Sequence, residues 1–296
     1  MSSDKVIARI KGGLGNQLFC YAAARRCALK NDAELVLDTV TGFRRDNVYR
    51  RRYMLDRFPV PARKAKPSER LEPFERCRRG LKKWLSSRKP FQERDYISDE
   101  SMDFDERLLS LRVQGTVYLD GYWQSEGYFK DVEETIRQDL RMQPPEDEDN
   151  QRIAEQIRGC ESAAIHVRWF DMPGNSAKHN ISADYYKQAV ALMEEKAGSP
   201  HYFLFSDDAE AAEGKLNLPE GRFSVVSHNR GDDNACADLW LMSQCKHVII
   251  ANSTFSWWGG WLVQGDTKIV IAPSLKIDGI ASWGFKGLIP DEWISI

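Results

Sequence analysis

Between residues 163 and 271 the chain repeats one unit: a short apolar run followed by a single helical stretch. The runs lie at residues 163–167, 201–205, 223–226, 247–251 and 268–271, and the predicted helices at 182–197, 209–216, 234–244 and 255–263. Strands separated by single helices cannot close as hairpins. Each helix must cross one face of the sheet, which forces parallel, doubly wound pairing. The first forty residues open the same way, with a strand at 6–10, a glycine-rich turn, a helix from about 15 to 30 and a strand at 34–37. A further strand is predicted at 116–119, with a helix from Ser125 to about Leu140.

Gln143-Pro144-Pro145-Glu146-Asp147-Glu148-Asp149 reads as a linker, because two prolines precede a cluster of acids of the kind that starts a helix. We place a domain boundary there, giving an N-terminal domain over residues 1–145 and a C-terminal domain over 146–296. The 42 basic and 44 acidic residues give a net charge of −2, so the chain has no nucleic-acid signature. The charge is uneven. Residues 44–94 hold 18 Lys and Arg against 6 Asp and Glu, a local charge of +12 within a poorly periodic insert that spans about 43–94. Such a segment is either a solvated face or loop, or a patch for a phosphorylated or membrane-borne substrate.

Six cysteines form no C-x-x-C pair and read as free thiols in a reducing compartment. No signal-peptide core and no run of about 18 apolar residues is present. A soluble, cytoplasmic protein is expected, with peripheral contact at the inner membrane left open.

Several segments carry residue types suited to ligand chemistry. Asn252-Ser253-Thr254-Phe255-Ser256-Trp257-Trp258-Gly259-Gly260-Trp261 follows the run at 247–251. Small hydroxyl residues at a strand-to-helix junction let helix N–H groups meet a phosphate, or simply cap the helix. In the run at 163–167 and just past it, His166 and Arg168 share a face, and Arg168 stands where it can take a diphosphate. The alternative is an Arg168–Asp171 ion pair beside a core histidine. Asp207 and Asp208 either bind ribose hydroxyls or start a helix. Asp238 accepts hydrogen bonds from a base or ribose, or is exposed. Near the N-terminus, Lys11-Gly12-Gly13-Leu14-Gly15-Asn16-Gln17-Leu18-Phe19 lacks both the dinucleotide and the P-loop pattern; it leaves a turn that lets a substrate approach the backbone at Gly15 and Asn16. Two Asp-x-Asp triplets, at 103–105 and 147–149, end no apolar strand, and the histidines show no ligand spacing, so no metal is expected.

In chain order, Gly12-Gly13-Leu14-Gly15-Asn16-Gln17-Leu18-Phe19, Gly121-Tyr122-Trp123-Gln124-Ser125-Glu126, His166-Val167-Arg168, Phe205-Ser206-Asp207-Asp208 and Asn252–Gly259 together resemble the bacterial α-1,2-fucosyltransferases of glycosyltransferase family 11. The resemblance runs from Ile7 to about Ile271 and covers the basic insert least. It implies a GT-B-like α/β fold, with two Rossmann-like domains whose parallel sheets face a cleft. It implies metal-independent, inverting transfer of L-fucose from GDP-β-L-fucose to a galactose-terminated oligosaccharide or lipid-linked glycan, as in surface polysaccharide synthesis. No cofactor is implied.

Residue by residue, the resemblance implies that Arg168 contacts the donor diphosphate, that His166 lies by the nucleotide, that Ser253, Thr254 and Phe255 cradle the phosphates beside Asn252, and that Gly15 and Asn16 line the cleft near the sugar. Asp238 is counted with the donor-binding residues. Asp171 and Glu126 are the candidate bases. The family pattern usually reads His-x-Arg-Arg-x-Asp, and here the second Arg is Trp169. Either Arg168 alone carries the diphosphate or the second Arg is dispensable, and Trp169 offers a stacking face to a sugar. That departure also motivates two other readings: a transferase for another GDP-sugar or acceptor, and a non-catalytic glycan- or nucleotide-binding protein.

Overall fold

The computed structural model describes residues 4–169, 179–216, 218–277 and 283–296. The chain divides into two units, Met1–Arg141 with Lys286–Leu288, and Met142–Phe285 with Ile289–Ile296.

The first unit contains β1 (Lys5–Arg9), α1 (Leu14–Lys30), β2 (Glu34–Asp38), β3 (Arg63–Lys64), α2 (Glu75–Ser86), β4 (Tyr96–Ser98), β5 (Thr116–Asp120) and α3 (Glu133–Asp139). Its sheet has the order β3-β2-β1-β5-β4, and every pairing is parallel. Helix α1 is rich in alanine and free of β-branched residues, which favours a helix, and 13 of its 17 residues are buried. It is therefore enclosed rather than half-wet. The fully buried Gln17 completes its junction. Its amide donates to the Gly12 and Arg52 carbonyls, and its oxygen accepts from the Met54 N–H.

The second unit contains α4 (Glu148–Arg158), β6 (Ser162–Val167), α5 (Ala183–Ala197), β7 (His201–Ser206), α6 (Ala209–Lys215), β8 (Phe223–Val226), α7 (Ala235–Gln244), β9 (His247–Ile249), α8 (Thr254–Leu262), β10 (Val270–Ala272) and β11 (Ile294–Ser295). The sheet order is β11-β10-β9-β6-β7-β8, again wholly parallel. Strand β6 is buried along its whole length, as expected of a central parallel strand covered on both faces. Ile165 and Val167 pack with Tyr185, Tyr186, Ala189 and Met193 of α5 in one core.

Two expectations from the sequence need correction. The region after Ser125 is not one helix. Ser125 caps a single 3-10 turn (Glu126–Tyr128), a second turn follows (Lys130–Val132), and the helix proper begins at Glu133. Close packing is the cause, since a Cβ on Gly127 would lie 2.7 Å from the Phe104 ring, and Tyr128 and Phe129 are buried. The basic insert is not patternless either. It supplies the edge strand β3 and the helix α2, and β4 follows directly. Strands of two and three residues are too short to leave a period-2 signal.

Candidate functional site

Register fixes which residues meet at the carboxyl edge of the second sheet. Val167 pairs with Ser206, and Arg168 and Asp207 follow directly; Ile165 pairs with Ile249, and Arg168 and Asn252 each follow three residues on. In an open parallel sheet this edge is where ligands are held. Two side chains from α5 brace it. The Tyr186 hydroxyl donates to the His166 carbonyl at 3.2 Å, and the Tyr185 hydroxyl donates to the Ile250 and Ile271 carbonyls at 2.7 and 3.1 Å. Neither tyrosine stands out in the sequence; the only signal is a Tyr pair in the first turn after a Ser cap.

Helix α8 is held tightly against the sheet. Trp257, Trp258 and Trp261 are buried, a Cβ on Gly259 would lie 2.4 Å from the Met242 methyl, and one on Gly260 would lie 2.9 Å from Val270. The Ser256 hydroxyl accepts from the Ala251 N–H at 2.8 Å and so ties the helix to the strand end. The N-terminal N–H groups of this helix have no carbonyl one turn back to meet. Ser253, in the cap position, makes no side-chain cap hydrogen bond. Beside it, Asn252 is buried; its amide donates to the His179 carbonyl at 2.9 Å, while its buried Oδ1 has no partner among the described residues.

His166 lies against this helix start, its ring centroid 5.4 Å from that of Phe255. Burial, with the Arg168 charge added, pushes its pKa down to about 3. The imidazole is therefore neutral at ordinary pH, and its buried Nδ1 has no partner among the described residues. A neutral imidazole can hydrogen-bond but carries no charge; the cation at this edge is Arg168, which is paired with Asp207. Asp207 also accepts from the Trp169 backbone N–H at 3.0 Å, and the Trp169 indole N–H donates to the Asp208 carbonyl at 3.3 Å. Trp169 packs on the core under β6. The residue that replaces the second arginine thus locks the β6 edge to the loop after β7. Asp208 caps α6, accepting from the Ala211 N–H at 3.0 Å, so its role is the helix start.

Asp171 lies outside the described residues. Asp238 joins a polar cluster: Asn229 donates to Asp238 and to Asn150, and Asn150 also meets His228. Burial pushes the Asp238 carboxyl up to about 7 despite its hydrogen bond from Asn229. Asp238 is thus part of an internal network with Asn229, Asn150 and His228.

In the first unit, Gly12 has φ +77, and a Cβ there would lie 2.7 Å from Asn16 Nδ2. Asn16 accepts from Gln124 at 2.7 Å, which joins the first motif to the Tyr-Trp-Gln motif, and Gly15 is buried in the first turn of α1. Glu126 forms an ion pair with Lys130 at 3.4 Å. A cluster not singled out from the sequence stands at the carboxyl edge of this sheet. Asp120 takes Arg9 at 3.1 Å, Lys11 at 2.9 Å and the Tyr96 hydroxyl at 2.6 Å. Burial alone would raise the Asp120 carboxyl, but the Lys11 and Arg9 charges and the Tyr96 hydroxyl outweigh it and hold it well below the usual carboxylate range. Its signal was positional: Arg9, Asp38 and Asp120 each end a parallel strand.

Among the described residues no group of three or more His, Cys, Asp or Glu side chains is placed to hold a metal ion. The Asp-x-Asp triplets have structural roles. Asp103 accepts from the Lys286 N–H, Asp105 pairs with Arg107, Asp147 caps α4 and Asp149 pairs with Arg152.

The sequence matches the profile of Glycosyl transferase family 11 over residues 5–296. The chain belongs to this family. It is similar to an α-1,2-colitosyltransferase of Escherichia coli, 28% identical over 304 residues and covering 98% of each chain. It is also similar to the O-antigen biosynthesis glycosyltransferase WbnK of Escherichia coli, 29% identical over 310 residues and covering 97% of this chain and 99% of that one. Among solved structures, Arabidopsis thaliana FUT1, determined as a variant in complex with GDP, superposes with a TM-score of 0.54 at 14% identity, covering 95% of this chain and 72% of the other. The family 11 chain described here is a glycosyltransferase of two parallel-sheet, Rossmann-like units, GT-B-like in architecture. None of its described helices is long and apolar enough to cross a membrane.

Proposed function

We propose that the protein is an inverting, metal-independent α-1,2-fucosyltransferase. It takes GDP-β-L-fucose in its second unit and a β-galactosyl-terminated glycan of a bacterial surface polysaccharide on its first. One observation carries this reading. In a family 11 chain, the carboxyl edge of the second sheet gathers Arg168, the neutral His166, Asn252 with an oxygen that has no partner among the described residues, and a helix start with no side-chain cap.

The chemistry follows from those groups. The anomeric C1–O bond to the diphosphate breaks as the acceptor 2-hydroxyl attacks C1 from the opposite face, and GDP leaves with the electron pair. Arg168, released from Asp207, and the N–H groups at the start of α8 neutralise the charge that grows on the diphosphate. A metal is not required for that step. His166 and Asn252 supply hydrogen bonds to the nucleotide. The acceptor proton goes to a carboxylate, Asp171 or Glu126. Glu126 is ion-paired with Lys130 and must leave that pair before it can take the proton. The free cysteines fit a reaction in the reducing cytoplasm.

A second reading keeps the mechanism and changes the sugar. The full-length similarity to a colitosyltransferase favours it, since colitose is fucose without its 3-hydroxyl. A thermal-shift series with GDP, UDP, CMP and ADP, each with EDTA, tests the nucleotide. A ligand at about 100 times its Kd adds roughly 2.7 kcal/mol, enough to raise Tm by several degrees. A rise with GDP alone that survives EDTA is expected; a rise only with UDP and metal overturns the proposal. Turnover of the two activated sugars on a galactoside, read by mass, then decides between fucose and colitose. GDP binding without acceptor-dependent release of GDP would make the chain a non-catalytic binding protein.

A further inference from the structure

Helix α2 is inside out. Glu75, Arg79, Lys82 and Ser86, spaced by four, three and four residues, face the body of the first unit. Glu75 pairs with Arg44, Arg79 donates to Thr41 at 2.8 Å, Lys82 pairs with Asp95 and lies over the Tyr118 ring, and the Ser86 hydroxyl accepts from the Tyr96 N–H at 3.0 Å. The apolar side chains point the other way. Phe74, Leu81, Trp84 and Leu85 are 74, 59, 52 and 48% exposed, and Cys77 is exposed between them. At about 100° per residue these five fall within an arc of about 100°. The described residues have six large exposed hydrophobics, and four of them lie on or beside this one helix. Scattered exposed hydrophobics are ordinary, but one continuous stripe facing away from the core is not.

The surroundings name the partner. Helix α2 carries five basic residues and one acid, and Arg88 and Lys89 follow it. Its ion pairs are made by the inward Glu75 and Lys82, which leaves Arg76, Arg78, Lys83 and Arg88 exposed. Arg88 stacks 3.4 Å over the Trp84 ring. An apolar stripe with tryptophan on one face and lysine and arginine at its margins is the pattern of a helix that lies in the plane of a bilayer surface. The charge of +12 over residues 44–94, against a chain total of −2, adds orientation. An anionic surface attracts the insert and repels the remainder. Pairing this face with its own copy would bring like charges together.

We propose that α2 is an interfacial helix that docks the protein on an anionic phospholipid bilayer, with Phe74, Leu81, Trp84 and Leu85 entering the headgroup region and the flanking arginines and lysines meeting lipid phosphates. This is independent of which sugar or acceptor the enzyme takes. The test is sedimentation of the full chain with vesicles of mixed phosphatidylglycerol and phosphatidylcholine, against vesicles of phosphatidylcholine alone. Binding to the mixed vesicles at low salt is expected, falling steeply as salt is raised, with little binding to the neutral ones. The pair Leu81→Ser and Trp84→Ser, and separately the pair Arg76→Gln and Lys83→Gln, should each weaken partitioning at least about tenfold. Both pairs should melt as the wild type does. Quenching of tryptophan emission by lipids brominated in the acyl chain, present in the wild type and reduced in Trp84→Phe, checks insertion without depending on a folded double variant. No sedimentation with anionic vesicles at low salt overturns the proposal. So does unaltered binding by the serine pair, or self-association that the serine pair abolishes in the absence of lipid binding.

Discussion

The two sheets end in edges of opposite character. In the first, the charged groups are matched: Asp120 is shared by Arg9, Lys11 and Tyr96, and Asp38 accepts from the Thr41 N–H and hydroxyl. In the second, His166 Nδ1 and Asn252 Oδ1 are buried with no partner among the described residues, and Ser253 leaves its helix uncapped by a side chain. Buried polar groups are normally satisfied, because each unsatisfied one costs roughly 1–3 kcal/mol. Two such exceptions at a strand-to-helix junction are what the proposed donor would complete. The matched edge is held by its own side chains. The contrast makes a simple claim: substitutions at the first edge should cost stability, and those at the second should cost binding and turnover.

The largest effect expected is at Arg168. With Arg168→Ala the diphosphate loses its only arginine from the motif, and kcat/KM should fall by about 10²–10³-fold or more, as when a donor to a developing anion is removed. The melting temperature should change little, because the Arg168–Asp207 pair is part exposed and such pairs contribute about 1 kcal/mol or less. Transfer at the wild-type rate in this variant would break the assignment of the second edge.

A paired experiment sharpens the comparison directly. Asp120→Asn removes the carboxylate from between two cations in a mostly buried position, and a loss of about 2–4 kcal/mol in unfolding free energy is expected, read by denaturant titration. The GDP-dependent thermal shift of that variant should persist. Ser253→Ala should do the reverse. Loss of a capping side chain usually costs about 1 kcal/mol, but Ser253 makes no cap bond, so stability should hold while the GDP Kd rises about three- to tenfold. Equal losses of stability in both variants would mean that the two edges do not differ in kind.

The sequence discloses some of this readily and some not at all. Strands β6 to β10 of the second unit and helix α1 are legible because their apolar runs are long and regularly spaced, whereas the two-residue β11 is not. The candidate groups of the second edge are legible because they sit at strand ends, where position itself is informative. Strands β3 and β4 are not, since two or three residues carry no period. Nor is the inverted helix α2, because periodicity reveals an apolar face and not which side it presents to the body. Arg168 was open to two pairings from the sequence, one with Asp171 and one with a ligand. The register of β6 and β7 supplies a third partner, Asp207, from a segment 39 residues away.

The smallest effect expected concerns Asp238, which the sequence places with the donor and the structure places in a network with Asn229, Asn150 and His228. Its carboxyl is raised by burial from 3.8 to about 7. Below the unfolded value it is protonated in both states, and burial carries no charge penalty. As pH rises toward 7 the unfolded chain loses the proton while the folded chain keeps it, so stability declines across that window and stays reduced above it. Asp238→Asn removes this dependence and keeps an acceptor for Asn229. The variant should match the wild type near pH 4 and exceed it by at least about 1 kcal/mol at pH 8, read as a widening difference in melting temperature. A difference that stays flat across that range would mean the carboxyl is not buried as a neutral acid. If the GDP-dependent shift disappears in the same variant, Asp238 belongs to the donor after all, and the unsatisfied edge extends from Asn252 into α7.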